Sequence, residues 1–225
     1  MPARPRLASA LGLAVGGALA ADLALALTGR ARIRRVTKPL IMPLVAARLL
    51  ANSGSRRPGL RDHTVAALLL SCAGDAAILG ESDRALAGGA AWFGLAQLFY
   101  VRGFRRAGSR PSAAVTLPIV LAAAGGIGGY WPRAGALRPV LVCYPPLLAA
   151  MAVSASGLGD ALPAPAARRI VAGARVFLAS DTIVGAQRFL DLTPRQRDAL
   201  EVPAMVTYVA AQWLIADGVG RATRG

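Results

Sequence analysis

The sequence predicts an all-α fold: a polytopic membrane protein with eight transmembrane helices in one bundle. Three observations predict it. Hydrophobic residues make up 55% of the 225-residue chain and charged residues only 16%. The apolar residues fall into eight runs of about 17–23, close to the ~20 that a helix needs to cross a hydrocarbon core of ~30 Å. Between the runs lie short, Arg-rich connections, with no stretch left over for a separate soluble domain, so residues 1–225 read as a single membrane domain.

Charge and side-chain counts narrow the function. The net charge is +15. A basic chain often binds nucleic acid. Here the arginines flank apolar runs, which is the pattern of topology-setting charge in contact with anionic head groups, so no nucleic-acid partner is expected and membrane lipids are. Cys72 and Cys143 both fall inside apolar runs and read as packing residues rather than a disulfide. His63 is the only histidine, which excludes a His-rich zinc site and disfavours a His-based triad. No metal and no cofactor is demanded.

The elements follow in order. Helix one covers 7–27. Arg4 and Arg6 precede it as in a secretory signal, but the apolar stretch is too long for one and seven more follow. Asp22 lies near its far end and reads as interfacial. Residues 29–36 carry Arg30, Arg32, Arg34 and Arg35 as a connection. Helix two, 37–51, opens at Thr37-Lys38-Pro39 with Thr37 as cap. Pro43 loosens its first turns, and broken backbone at membrane depth usually lines protein or a cavity. Residues 52–62 form a loop. Helix three, 63–79, starts at His63 and places Leu68, Ser71, Cys72, Asp75 and Leu79 on one face. Residues 80–84 are a short acidic turn. Helix four, 85–101, aligns Phe93, Gln97 and Tyr100, and Gly88, Gly89 and Gly94 permit close helix contact. Residues 102–110 are a basic connection. Helix five, 111–130, has no ionisable group. Helix six, 138–154, contains Pro139, Pro145 and Pro146. Residues 157–167 form a loop. Helix seven, 168–190, carries Ser180-Asp181. Residues 191–198 form a turn. Helix eight, 199–216, lines up Glu201, Met205, Tyr208 and Gln212.

Asp181 poses the functional question. A carboxylate inside a spanning helix costs roughly 2.5–3.5 kcal/mol on insertion scales, and normally faces a bundle interior or a watered cavity with a partner. With alternating helix directions, Lys38, Asp75, Asp181, Arg188, Glu201 and Tyr208 all fall toward the same end of the bundle, the end away from the N-terminus. Only Arg175 lies deep in the other half. Lys38 is the single lysine in a chain that otherwise uses Arg. The Arg bias places the N-terminus on the cytoplasmic side. Short motifs echo four helices apart: Lys38-Pro39…Pro43 with Arg138-Pro139…Pro145, Gly74-Asp75 with Ser180-Asp181, and Phe93…Gln97 with Tyr208…Gln212. A parallel four-plus-four duplication would give this and would bring the two aspartates together.

The motifs Thr37-Lys-Pro-Leu-Ile-Met-Pro-Leu44, Gly74-Asp75-Ala-Ala-Ile-Leu79, Phe93-x-x-x-Gln97-x-x-Tyr100, Gly173-Ala-x-x-Phe177-x-x-Ser180-Asp181 and Tyr208-x-x-x-Gln212 resemble the YhhN family of membrane lysoplasmalogenases, in order and over nearly the whole chain. The resemblance implies an eight-span protein of a bacterial inner membrane. It also implies hydrolysis of the vinyl ether bond of a lysophospholipid, lysoplasmalogen, to a fatty aldehyde and a glycerophospho head group. Family members often carry His where this chain has Gln97, so proton transfer through that histidine does not operate here.

A vinyl ether has no carbonyl to attack. Its hydrolysis begins with protonation of a double-bond carbon, and water then captures the oxocarbenium ion. One group must donate a proton and one carboxylate must stabilise the cation and activate water, as two carboxylates do in glycoside hydrolysis. Asp75 and Asp181 are the candidate catalytic pair. Lys38 would keep one of them ionised or hold the phosphate. Tyr208, Gln97 and Gln212 would orient water, Arg188 is a head-group candidate, and Glu201 lies on the same stripe. Phe93 and Phe177 read as packing. Which aspartate is acid and which base the sequence leaves open. Two other readings remain: an ion cluster that only fixes packing, and a small proton-coupled carrier, since buried aspartates and Pro-broken helices serve carriers too. A hydrolase of another lysolipid is the third.

Overall fold

The computed structural model describes residues 5–80 and 82–224. Arg4, and Glu81 in the acidic turn, lie outside the described residues. The described residues form eight α-helices and no strand: α1 Pro5–Leu27, α2 Ala31–Asn52, α3 Pro58–Ile78, α4 Asp83–Arg106, α5 Ala113–Tyr130, α6 Arg138–Ser156, α7 Ala164–Phe189 and α8 Pro194–Arg224. Two single-turn 3₁₀ helices, Trp131–Arg133 and Gly135–Leu137, join α5 to α6. Five helices are long and apolar enough to cross a membrane: α1, α5, α6, α7 and α8.

Several helices outrun their apolar cores. α2 begins at Ala31, so the Arg-rich stretch expected as a connection is its first two turns, and Thr37 is an interior residue rather than a cap. α3 starts at Pro58, upstream of His63, and α4 continues through Arg105 and Arg106. α7 starts at Ala164 and α8 covers Pro194–Arg224, absorbing most of the turn expected at 191–198. An apolar run measures the hydrocarbon thickness, whereas Arg, Gln and Glu are good helix formers that carry the backbone ladder past it.

Six helices close a ring. α2 packs on α3, α3 on α4, α4 on α6, α6 on α7, α7 on α8, and α8 back on α2. α1 lies outside against α2 and α8, and α5 lies outside against α6 and, lightly, α7. The pairings α1–α2, α2–α3, α3–α4 and α4–α6 therefore recur four helices later as α5–α6, α6–α7, α7–α8 and α8–α2. The recurrence is incomplete, since α1 also packs on α8 with no comparable contact between α5 and α4. α3 packs across the ring on α8, but α4 and α7 stand apart.

Glycines set the two tightest seams. A Cβ at Gly74 would lie 2.7 Å from the Phe93 ring. Cβ atoms at Gly173 and Gly218 would each lie 2.8 Å from a backbone oxygen of the facing helix, Ala211 and Ala166 respectively. Of the three α4 glycines expected at contacts, Gly89 meets Ile78 and Gly94 meets Leu147, but Gly88 has nothing within 4 Å.

The end of the bundle nearest the C-terminus holds an ion cluster that the depth argument did not anticipate. Asp217 accepts from Arg221 at 2.7 Å and pairs with Arg169 at 3.0 Å and Arg48 at 3.4 Å. The Arg48 guanidinium also lies 3.6 Å over the Trp213 ring. Arg175, expected as the deep charge of this half, is exposed on the outer surface.

Candidate catalytic cavity

Where α4 and α7 stand apart, a cavity of about 340 Å³ enters the bundle. It is walled by the starts of α2, α4, α6 and α8 and by the ends of α3, α5 and α7. Helix directions alternate, so all these segments lie at one end of the bundle. Lys38, Asp75, Asp181, Arg188, Glu201 and Tyr208 all line it. The convergence argued from helix direction is thus present in three dimensions.

The two aspartates occupy different settings. Asp75, on the last full turn of α3, is 2% exposed. It accepts a 2.9 Å hydrogen bond from the Tyr208 hydroxyl of α8, and the charge facing it is Lys38. The Tyr208 ring is wedged edge-on between Phe93 and Phe177, with centroids 5.9 and 5.8 Å away. Both phenylalanines are packing residues that fix the angle of the phenol. Asp181 is only half-buried and faces the cavity from α7. It accepts a hydrogen bond from the Tyr144 hydroxyl of α6. Its neighbour Ser180, also in the cavity wall, donates to the Ala204 carbonyl at 3.0 Å and ties α7 to α8. Each carboxylate thus has its own tyrosine, and no hydrogen bond joins the carboxylates themselves.

Tyr144 was not singled out from sequence, although the signal is there. Leu141, Tyr144, Leu148, Met151 and Ala155 fall at helical spacing on the inner stripe of α6. A tyrosine is the one polar group on that stripe, and its pairing with Asp181 depends on how α6 meets α7.

The glutamines sit below the cavity rather than in its wall. Gln212 is fully buried, accepts from the Tyr100 hydroxyl at 2.5 Å and donates to Ser71 at 3.2 Å. It joins α3, α4 and α8. Gln97 is fully buried, and neither its amide nitrogen nor its oxygen has a hydrogen-bond partner among the described residues.

The mouth is charged. Arg188, exposed at the end of α7, pairs with Asp83 at the start of α4 and spans the gap between them. Glu201 pairs with Arg34 rather than with Lys38. Arg34 in turn donates to both oxygens of Asp22 at 3.3 Å, and Thr37 adds a bond of 3.3 Å. Asp22, read as interfacial, is completely buried. It anchors α1 to α2, and through Arg34 to α8. Lys38 makes no ion pair within 4.0 Å among the described residues, which leaves its ammonium free toward the cavity. The described residues bring together no set of three His, Cys, Asp or Glu side chains suited to a metal.

The fold and the cavity define a class: a helical membrane protein with two separately held aspartates in one cavity, charged at its mouth and apolar along its depth. The chain belongs to the YhhN family, whose profile matches residues 33–219. The matched stretch takes in the whole cavity wall and leaves out all of α1, which contributes nothing to it. No curated protein and no solved structure matches the chain.

Proposed function

We propose that the protein is a lysoplasmalogenase-like hydrolase. It cleaves the vinyl ether bond of a lysophospholipid to a fatty aldehyde and a glycerophospho alcohol. The observation that carries this is the pairing of Asp75 with Tyr208 and of Asp181 with Tyr144 inside one cavity. All eight helices cross the membrane in this reading, as an integral protein of a bacterial inner membrane with a cytoplasmic N-terminus. The recurrence of helix pairings four helices apart supports a four-plus-four duplication.

The settings divide the roles. Asp181 opens onto the cavity and has no cation beside it, so it is the proton donor. Its proton goes to the double-bond carbon remote from the ether oxygen, and the cation forms on the carbon bonded to that oxygen. Asp75, faced by Lys38, is the carboxylate that stabilises the cation and takes a proton from the attacking water. As the resulting hemiacetal breaks its bond to the glycerol oxygen, Asp75 gives its proton to that oxygen and Asp181 takes the proton of the hemiacetal hydroxyl, so both carboxyls return to their starting state and aldehyde leaves. Two carboxylates divide the same labour in glycoside hydrolysis. Tyr208 and Tyr144 hold the carboxylates in place. Lys38 and Arg188 bracket the position of a phosphate at the mouth.

A carrier needs a path to both sides, and at the opposite end of this bundle the Asp217 cluster and the bond between Gly54 and Thr223 tie α2, α7 and α8 together. This favours a one-sided enzyme pocket. The test compares three single-chain lipids with the same head group, joined by vinyl ether, saturated ether and ester bonds. Aldehyde from the vinyl ether alone is expected. Cleavage of the ester instead would assign the cavity to a different lysolipid reaction.

A further inference from the structure

α5 is an anomaly in the bundle. It is apolar enough to cross a membrane, yet none of its residues is buried. Its two faces differ. Ile119, Ala122, Ala123, Gly126, Ile127 and Tyr130 follow one helical stripe, and all six line the cavity. Leu117 and Leu121 lie on the opposite side, each 60% exposed. A single helix therefore separates the cavity from the bilayer. Ala122, Ala123 and Gly126 make the middle of its inner stripe small, and its contact with α7 is light except at one end. There Tyr130 stacks on Phe189 with centroids 5.3 Å apart, and its hydroxyl donates to the Thr182 carbonyl at 3.3 Å.

The stripe also has a direction. Tyr130, stacked on Phe189 and bonded to the Thr182 carbonyl, lies at the mouth end, whereas Ile119 lies eleven residues deeper, about 16 Å at 1.5 Å per residue. That is half of a ~30 Å hydrocarbon core, the depth that one lipid chain occupies. The opposite wall at that depth is apolar as well, formed by Leu148 of α6 and Leu178 of α7.

From this we infer that the inner stripe of α5 is the binding site for the hydrocarbon chain of a single-chain lipid. The chain lies between α5 and the α6–α7 seam, with its head group at the Lys38–Arg188 mouth. The inference rests on reading the cavity as a lysolipid site, and it adds which wall holds the chain and what limits its length.

The experiment is photolabelling of the purified protein in detergent by a lysophosphatidylcholine with a 16-carbon chain and a diazirine near the chain end. Label is expected on the inner stripe of α5 and on Leu148 or Leu178, with competition by unlabelled 16-carbon lysophosphatidylcholine. Gly125 and Gly126 provide a matched pair, because a Cβ at either meets nothing within 4 Å and only Gly126 lines the cavity. Gly126→Leu displaces about two methylenes of the chain and should weaken competition about tenfold. Gly125→Leu should leave it within about twofold. Label on Leu117 and Leu121, as from lipid around the protein, or a Gly126→Leu variant that competes like the parent, would overturn the inference. Labelling does not need turnover. A protein that labels on α5 but releases no aldehyde would refute the proposed reaction and leave the chain site standing.

Discussion

The Tyr208 hydroxyl on α8 donates a 2.9 Å hydrogen bond to Asp75 on α3, across the one point where the ring is crossed by a direct helix contact. Tyr144 makes the corresponding bond to Asp181 on the other side of the cavity. The two pairs are not equivalent. Asp75 is buried and faces Lys38, while Asp181 opens to the cavity with no cation beside it. In the proposed reaction this asymmetry assigns two identical side chains to different parts.

Removing either phenol should cost turnover more than stability. Tyr144→Phe and Tyr208→Phe each keep the ring and lose one hydrogen bond, worth about 1 kcal/mol to folding. Turnover should fall by about one to two orders of magnitude, the usual range for losing a group that positions a proton-transfer partner. Steady-state kinetics beside a thermal melt in detergent checks both. Unchanged turnover in the two variants would show that the tyrosines only pack.

The two cations at the mouth should separate in kinetics. Arg188→Met removes a charge from the exposed rim and should raise KM with little change in kcat, as loss of uniform binding does. Lys38→Met removes the charge facing Asp75 and should lower kcat. A full concentration series with each variant makes the distinction.

Asp22 and Arg34 predict a stability effect remote from the chemistry. Arg34→Met leaves the fully buried Asp22 without its cation, and breaking a buried pair from one side costs about 3–5 kcal/mol. Adding Asp22→Asn should recover much of the loss. Chemical denaturation of both single variants and the double variant measures the coupling, and strict additivity would deny it.

At the α7–α8 seam, Gly218→Ala puts a methyl 2.8 Å from the Ala166 carbonyl oxygen and 2.6 Å from Ile170, and should cost about 1–3 kcal/mol by overpacking. Gly88→Ala meets nothing within 4 Å and should be neutral or stabilising by up to about 1 kcal/mol through helix propensity. Melting temperatures of the two variants give the comparison.

Much of the fold was legible because bilayer thickness imposes a length on each span. All eight helices were anticipated, and alternating direction correctly placed Lys38, Asp75, Asp181, Arg188, Glu201 and Tyr208 at one end. Helix ends were not legible, since Arg32, Arg34 and Arg35 look like a connection by hydropathy and yet form good helix. The pairings were harder still. Asp22 looks interfacial until Arg34 is seen to turn back over it. Asp217 lies past the last apolar run, and only the fold brings Arg48 and Arg169 to it. Tyr144 was hidden beside Pro145 and Pro146, which drew the eye to backbone kinking rather than to the phenol. Gln97, a candidate for orienting water, is buried beside Tyr144 and does not itself line the cavity.

The central claim is that Asp75 and Asp181 together hydrolyse a vinyl ether. The most direct measurement is aldehyde release from lysoplasmenylethanolamine by the purified protein, beside Asp75→Asn and Asp181→Asn variants whose melts match the parent. The account predicts release by the parent and a loss of at least about a thousandfold in each variant, the scale of removing an essential acid or base. Parent-like release by either folded variant, or none by the folded parent, would contradict it.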